Sequence, residues 1–497
     1  MMVMLAILIV ATLFELGLDV IPGLWGSRRF IASVISVGVP FASGGIFAWR
    51  PGAASGLLLV VSVFRVFNTL RVAGSQMNEV NLRRATRQTS LWLVGTQLLV
   101  AGAWVVDRHL ALSDSTWIML LALVQLFSAS VLAASTARRL RRTKPITPKA
   151  AYADSELPTV TVAIPARNED EQLEACLQSV IASDYPKLEV LVFDDCSQDR
   201  TSQIIRGFAH DGVRFISGKE PTPNWLAKNQ AYEQLAQEAS GELILFCGVD
   251  VRFAPHSVRQ LVTLLKRRRK TMLSLLPINE RPGFSIAQTM RYYWELALPR
   301  RMFNRPPVMS SFWLIEARAL KAAGGFAAVS RSITPEAHFA RYAIEGDKYS
   351  FMRSTPHLGV ASVKGVPEQR ETAVRTRYPQ LHRRPELVLA VVAAELVLLF
   401  APFVLVIVGL WGVLGMAPEI IFATTCLVLA VTYHRVTSTT SPKNRWGVSP
   451  LFPVAVLVDI ILLHYSMWKY EFSTVEWKGR NVCIPVMHTY SHLPPTK

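Results

Sequence analysis

Long apolar runs bracket a stretch of chain with a different rhythm. Before residue 137 the sequence carries five such runs, 2–23, 30–49, 53–71, 90–107 and 115–136, each close to the ~20 residues that a bilayer span needs. Three more follow residue 386, at 387–412, 418–434 and 450–468. Between the two sets, short apolar runs alternate with segments of helical period. Strands are predicted at 159–164, 188–193, 212–216, 242–247, 271–276 and near 311–315, and helices at 169–183, 199–210, 227–239, 255–268 and 335–345. That alternation predicts an α/β domain over 158–386, with a mainly parallel sheet covered by helices. Strand 188–193 runs straight into Asp194 and Asp195, which places both carboxylates at the C-terminal edge of the sheet, where open α/β sheets bind ligands.

Charge orders the apolar runs. The loops 24–29, 72–89 and 137–145 are basic, whereas 50–52 and 108–114 carry one Arg each. Alternating basic loops fit five N-terminal spans (1–136) with an external N-terminus, so the basic linker 137–157 and the central domain are expected in the cytoplasm. The first run has no basic n-region and contains Glu15 and Asp19, so it reads as a span rather than a secretory signal. Three spans within 387–468 would put the tail 469–497 outside, unless one of them is interfacial or re-entrant. The chain is 51% hydrophobic and only 18% charged, against about 25% charged in an ordinary soluble domain. Its net charge of +17 sits beside the apolar runs, as in Arg28–Arg29, Arg83–Arg87 and Arg138–Lys144, which points to a membrane and not to nucleic acid. The run Lys266–Lys270 reads as a solvated face or a lipid contact. Five cysteines (176, 196, 247, 426 and 483) show no CxxC pair and no metal-ligand spacing, so no disulfide framework is expected.

Two loops carry candidate chemistry. Pro165, Arg167, Asn168 and Glu169 follow the first strand and offer backbone and side-chain polar groups to a nucleotide. Adjacent acids at a strand end repel each other unless solvated, hydrogen-bonded or bound to a cation. Asp195 is therefore expected to touch ligand, and Asp199 to start the next helix.

The ordered pattern PARNED…LxSVxxxDYPxLEVLVFDDxSxDxT resembles a family 2 glycosyltransferase domain of the GT-A fold, and in particular the membrane-bound branch of ceramide glucosyltransferase-like enzymes. The segment around Trp225, Lys228 and Asn229, followed by Gly241-Glu242 and an apolar strand, is similar to that family's GW-x-GK-N…GE-x-ILF stretch, with Ala227 where Gly is usual. The resemblance implies a substrate site formed by Pro165, Arg167, Asn168, Glu169, Asp194, Asp195, Lys228 and Asn229. It also implies an Asp-x-Asp whose last acid binds Mg2+ or Mn2+. Here that segment reads Gly248-Val249-Asp250, which leaves Asp250 as the metal ligand. The family's catalytic base is the Asp of a Glu-Asp pair after a Gly-Gly-Phe segment. In this chain Gly324-Gly325-Phe326 precedes Pro335-Glu336, so Glu336 takes that place and His338 reads as a helix-face residue. A Gln-x-x-Arg-Trp motif near the diphosphate is matched best by Gln380-Leu381-His382-Arg383-Arg384, with Arg384 in place of Trp, and less well at Gln369-Arg370. The tail Val475–Arg480 is similar to a Trp-Arg-Gly-Arg tail of the membrane branch, which is cytoplasmic.

The expected function is inverting transfer of a sugar from a nucleotide-sugar, a UDP-sugar being favoured, to a lipid or lipid-linked acceptor at a membrane. A processive polysaccharide synthase is the alternative within the enzyme class. The altered GVD, PE and QLHRR segments also suit a catalytically decayed membrane scaffold.

Overall fold

The computed structural model describes residues 114–145, 152–222, 225–281, 285–297 and 306–483, with scattered positions before 103. Apart from those scattered positions, the predicted spans 2–23, 30–49, 53–71 and 90–107 lie outside the described residues, as do linker residues 146–151, Asn224 and the tail beyond 483.

The central domain is built on strands β1 (Val160–Ala166), β2 (Leu188–Asp194), β3 (Val213–Ser217), β4 (Leu243–Cys247), β5 (Val251–Phe253), β6 (Met272–Leu276), β7 (Ile278–Asn279), β8 (Phe312–Glu316), β9 (Tyr349–Arg353) and β10 (Val360–Ser362). Seven form one sheet in the order β3-β2-β1-β4-β8-β6-β9, and β5-β10-β7 form a smaller one. The pairs among β3, β2, β1 and β4 are parallel, as is β6 with β9, while β8 runs antiparallel to both neighbours. Every residue of β1, β4 and β6 is buried, as strands covered on both faces require. All six strands expected from the sequence are present. The short β5, β7 and β10 and the half-exposed ends of β9 gave no clear period to read. The register pairs Ala166 with Asp194, so the loop after β1 and the acids after β2 emerge together at one edge.

Helices Leu173–Ile181, Thr201–Gly207, Ala227–Glu238, Ser257–Arg267 and Glu336–Glu345 match the expected ones, and Ile286–Ala297 and Val366–Gln380 add to them. One face of the sheet is closed by an aromatic cluster. Trp313 stacks on Phe246 with ring centroids 4.3 Å apart and on Phe339 at 5.8 Å, and Tyr232 stacks on Phe326 at 5.3 Å. Trp313 is fully buried. Trp313→Ala removes the centre of the cluster and is expected to destabilise the domain by about 3–5 kcal/mol, lowering its thermal midpoint by roughly 10 °C. An unchanged midpoint would show that the cluster is not a single packed unit.

Among the described residues, four helices are long and apolar enough to cross a membrane: Ser115–Arg142, Pro385–Gly409, Met416–Thr440 and Pro442–Phe472. Phe127, Ile407 and Leu427 point outward from them and are exposed. The last of the four touches the α/β domain at both ends. At its start Lys443 pairs with Glu280 at 3.2 Å and Asn444 Nδ2 donates to the Arg281 carbonyl at 2.6 Å. Along its length Tyr470 Oη donates to the Arg375 carbonyl at 2.7 Å, and Asp459 accepts from Trp294 Nε1 at 2.8 Å and from Arg377. At its end the chain turns into a hairpin, β11 (Val475–Trp477) with β12 (Arg480–Cys483), which lies on the sheet edge after β1 and β2. The helix Ile286–Ala297 packs Tyr293 against Tyr433 and Phe452 of the apolar helices. Part of the basic run at 266–270 is pinned to the protein rather than solvated: Lys266 Nζ donates to the Glu156 carbonyl and Lys270 pairs with Asp347 at 3.0 Å.

Candidate active site

The edge after β1 and β2 is tied together by short polar bonds. Asn168 takes a left-handed backbone (φ 48°), a conformation that Asn tolerates better than most residues. Its N–H donates to Ser197 Oγ at 3.0 Å and its Oδ1 accepts the Gln198 N–H at 2.9 Å. Asp194 accepts from the Ser197 N–H at 3.0 Å and from Ser202 Oγ, so it braces the loop rather than facing a cavity. Asp199 accepts the N–H groups of Thr201 and Asp170, as a helix-start residue does. Arg167 is buried and donates to the carbonyls of Asp195, Cys196 and Lys478. Asp195 is 3% exposed, and its Oδ1 accepts from Arg480 Nη2 at 3.0 Å. Burial pushes its carboxyl up to about 6, against the opposing pull of the Arg480 and Arg167 guanidiniums; Glu220 and Asp194 add to the rise.

A solvent-open cavity lies between this edge, the end of β4 and the helix Val366–Gln380. Pro165 and Glu169 line it from the first loop, Lys228 and Tyr232 from helix Ala227–Glu238, Gly248 and Asp250 from the loop after β4. Lys364, Thr372 and Arg375 line the opposite side, and Trp477 and Lys478 of the hairpin close one end. Four cations and the carboxylates of Glu169, Asp250, Glu368 and Glu371 therefore share one space.

The electrostatics follow from that crowding. Burial pulls the Lys228 ammonium down to about 8; Arg375 adds to the fall and Glu336 opposes it. Burial alone would raise Asp250, but the Lys364 ammonium 3.7 Å away, the Ser362 hydroxyl at 3.2 Å and Lys228 together hold its carboxyl below the usual range. Burial lifts Glu169, although Lys478 Nζ lies 3.3 Å from it and opposes the shift. Gly248, where the family pattern has an acid, has a structural consequence. A Cβ at that position would lie 2.5 Å from Asp250 Oδ1, so the glycine lets the Asp250 carboxylate fold back over the chain. Among the described residues no group of three or more His, Cys, Asp or Glu side chains is arranged to hold a metal by itself.

Glu336 is the first residue of helix Glu336–Glu345, after Pro335, and is 3% exposed. It is not among the residues lining the cavity, but its charge acts on three that are, Lys228, Tyr232 and Arg375. Asn229 does not line the cavity. Its Nδ2 donates to the carbonyls of Val329, Ser330 and Ser332 at 2.8–3.0 Å, which clamps the loop leading to Glu336. His338 bonds the Ala323 carbonyl, in keeping with a helix-face role.

The structure brings Pro165, Glu169, Lys228 and Asp250 together in the cavity, with Arg167, Asn168, Asp194 and Asp195 behind its edge. It puts Gln380, Arg383 and Arg384 elsewhere. Pro379 sits in the last turn of helix Val366–Gln380, and His382 and Arg383 turn the chain away with φ near +55°. Arg383 then lies over the Tyr470 ring and Arg384 bonds Glu386. Gln369 bonds the Lys364 carbonyl at 2.8 Å. The guanidinium that does face the cavity is Arg375, one turn or more before the expected match. Sequence reasoning also missed Lys364, which carries no motif, and left Lys478 and Arg480 as a resemblance without a role.

The family model described as "Glycosyl transferase family 2" matches residues 161–324. The chain is similar to glycosyltransferase AglE of Haloferax volcanii, with 39% identity over 106 residues, covering 20% of this chain and 33% of that protein. It is also similar to a ceramide glucosyltransferase of Komagataella phaffii, at 28% over 101 residues, covering 20% and 18%. The chain thus spans a third or less of the length of these curated relatives. A solved mannosyltransferase from Pyrobaculum calidifontis, in complex with GDP-Man and Mn2+, aligns over 69% of this chain and 99% of its own, at 18% identity and a TM-score of 0.43. With the ordered motifs of the β1 and β2 loops on the same stretch, residues 161–324 are a family 2 glycosyltransferase domain.

Proposed function

We propose that this chain is a membrane glycosyltransferase that moves a sugar from a nucleotide-sugar, with UDP-sugars favoured, to a lipid or lipid-linked acceptor by one inverting displacement. The observation that supports it is the convergence of Asp250, Lys228 and Arg375, with Glu336 beside them, on one cavity whose far wall rests on the apolar helices. Asp195 and the loop Pro165–Glu169 are read as the nucleotide end, Lys228, Lys364 and Arg375 as the cradle of the diphosphate, and Glu336 as the base. Arg375 takes the part that the sequence suggested for Gln380, Arg383 and Arg384.

In the step, the acceptor hydroxyl gives its proton to the Glu336 carboxylate and its oxygen bonds to the anomeric carbon. The bond from that carbon to the diphosphate breaks, and its electron pair leaves on the phosphate oxygen. Buried cations aimed at that oxygen meet charge as it develops, which is the interaction that accelerates such a step. The donor set fits a divalent cation, Mg2+ or Mn2+: Asp250 supplies one hard carboxylate oxygen, and such ions complete their shells with substrate phosphates and water. A cation bound there would neutralise part of the leaving diphosphate's charge.

The domain and the tail hairpin share one side of the bilayer, read as cytoplasmic from the basic residues after 137. Pro385–Gly409 and Met416–Thr440 cross and return. Pro442–Phe472, which meets the domain at both ends, lies at the interface and restores the even number of crossings that a cytoplasmic tail needs.

Thermal unfolding tests the donor site. UDP or GDP with Mn2+ at 100 times its dissociation constant is expected to stabilise the full chain by about 2.7 kcal/mol. Asp250→Asn is expected to keep most of the metal-free shift and to lose the increment that Mn2+ adds. No shift with either nucleotide, with or without Mg2+ or Mn2+, would contradict the reading.

A further inference from the structure

The two carboxylate oxygens of Asp250 have different surroundings. Oδ2 accepts from the Ser362 hydroxyl at 3.2 Å and faces the Lys364 ammonium at 3.7 Å. Oδ1 lies over Gly248, in space that a Cβ there would contest. The backbone keeps Lys364 in place. The Val363 N–H donates to the Asp250 carbonyl at 2.9 Å, and Gln369 Nε2 donates to the Lys364 carbonyl at 2.8 Å. Both side chains of the ion pair line the cavity, Lys364 17% and Asp250 21% exposed, so water screens them only in part.

We propose that Lys364 is a tethered cation that competes with a divalent metal for Asp250 and releases the carboxylate only when a diphosphate enters. This deepens the donor-site reading above and rests on it. A metal on Asp250 would lie close to the Lys364 charge, and two cations a few ångströms apart in a partly buried site repel each other strongly. The rest of the cavity offers no compensating field. Its four cations, Lys228, Lys364, Arg375 and Lys478, equal its four carboxylates in number. Among the described residues no group of three or more His, Cys, Asp or Glu side chains is arranged to hold a metal without help.

A diphosphate changes that balance. Its charge turns the site net negative, and its oxygens give Lys364 a second partner. Lysine suits the exchange, because a point charge on a flexible stem can turn from a carboxylate to a phosphate by bond rotation alone. Ser362 remains on Oδ2, buried in β10, and keeps the Asp250 carboxylate oriented. Lys364 thus has two partners in turn, the carboxylate in the empty site and the diphosphate in the filled one. Its charge makes the empty site a poor binder of metal and the filled site a good one.

The test is equilibrium binding to the full-length protein in detergent or lipid discs, with Mn2+ alone and with UDP or GDP alone. Free Mn2+ is read by electron paramagnetic resonance, and binding that survives in Asp250→Asn is subtracted as adventitious. Wild type is compared with Lys364→Met, Lys364→Gln and Lys364→Arg. Removing the charge is expected to tighten binding of Mn2+ alone by at least about tenfold. The same change is expected to weaken metal-free nucleotide binding by about tenfold. Structural damage would weaken both ligands, so the opposite signs separate the two causes. Two uncharged variants are used so that one that fails to fold leaves the other. Lys364→Arg keeps the charge and is expected to hold Mn2+ affinity within about threefold of wild type. Three results overturn the proposal while leaving the donor site standing. These are Mn2+ affinity unchanged or weaker in the uncharged variants, metal-free nucleotide affinity that does not fall in them, and Lys364→Arg behaving as they do. A wild type that binds neither UDP nor GDP, with or without Mn2+, overturns the donor-site reading and this proposal together.

Discussion

Glu336→Gln is expected to reduce sugar transfer by about 10²–10⁴-fold while leaving nucleoside diphosphate affinity within a few-fold of wild type. The amide keeps the size and acceptor oxygen of the carboxylate but cannot take the acceptor's proton. Glu336 is buried at the first turn of its helix, after a loop fixed by the three bonds from Asn229, so the substitution changes charge more than position. Its electrostatic neighbours include Lys228 and Arg375, both on the cavity wall, so the proposed base acts on the cations proposed to hold the leaving group. Steady-state rates beside equilibrium binding of UDP separate the two effects. Full activity in Glu336→Gln would remove it from the chemistry. Glu336→Asp withdraws the carboxylate by about an ångström, a displacement that can cost up to about 100-fold.

The second large effect is expected at Arg375. Arg375→Met should lower kcat by about 10²–10³-fold, the usual loss when one preorganised group facing developing charge is removed. Its guanidinium lies 5.7 Å from the centroid of the Trp477 ring, and its carbonyl is fixed by Tyr470, so both the hairpin and the helix Pro442–Phe472 set its position. Arg375→Lys retains a point charge without the planar fork and is expected to recover part of the rate. The same pair of substitutions at Arg383, which lies over Tyr470 away from the cavity, is expected to leave kcat within about threefold. A large loss at Arg383 with none at Arg375 would return the role to the position that the sequence suggested.

How much of this was legible in the sequence follows the physics of each signal. The buried strands β1, β2 and β4 are runs of apolar residues that end in polar loops, so both the sheet and its ligand edge could be read, and with them Pro165, Glu169 and Asp195. Asp250 and Lys228 were reached through ordered motifs. Arg375 was not, because Thr372 and Thr376 flank it where the expected Gln and Trp would have marked it. The motif-like QLHRR instead falls where Pro379 ends the helix. Lys364 and Arg480 are illegible for another reason. Each gains its role from a partner distant in the chain, Asp250 for one and Asp195 for the other, and no local period records such a pairing. The last apolar run likewise had the length of a span. Only its bonds to Glu280 at one end and to Asp195 through the hairpin show that both ends meet the domain.

The central claim is that this cavity passes a sugar to a lipid. Full-length protein incubated with native lipid extract, Mn2+ and a panel of nucleotide-sugars, followed by mass spectrometry of the lipids and assay of released nucleoside diphosphate, tests it most directly. The predicted result is a lipid gaining the mass of one sugar residue, in step with diphosphate release and absent in Glu336→Gln. The contradicting result is that no donor in the panel adds sugar mass to any lipid, or that the gain persists undiminished in Glu336→Gln.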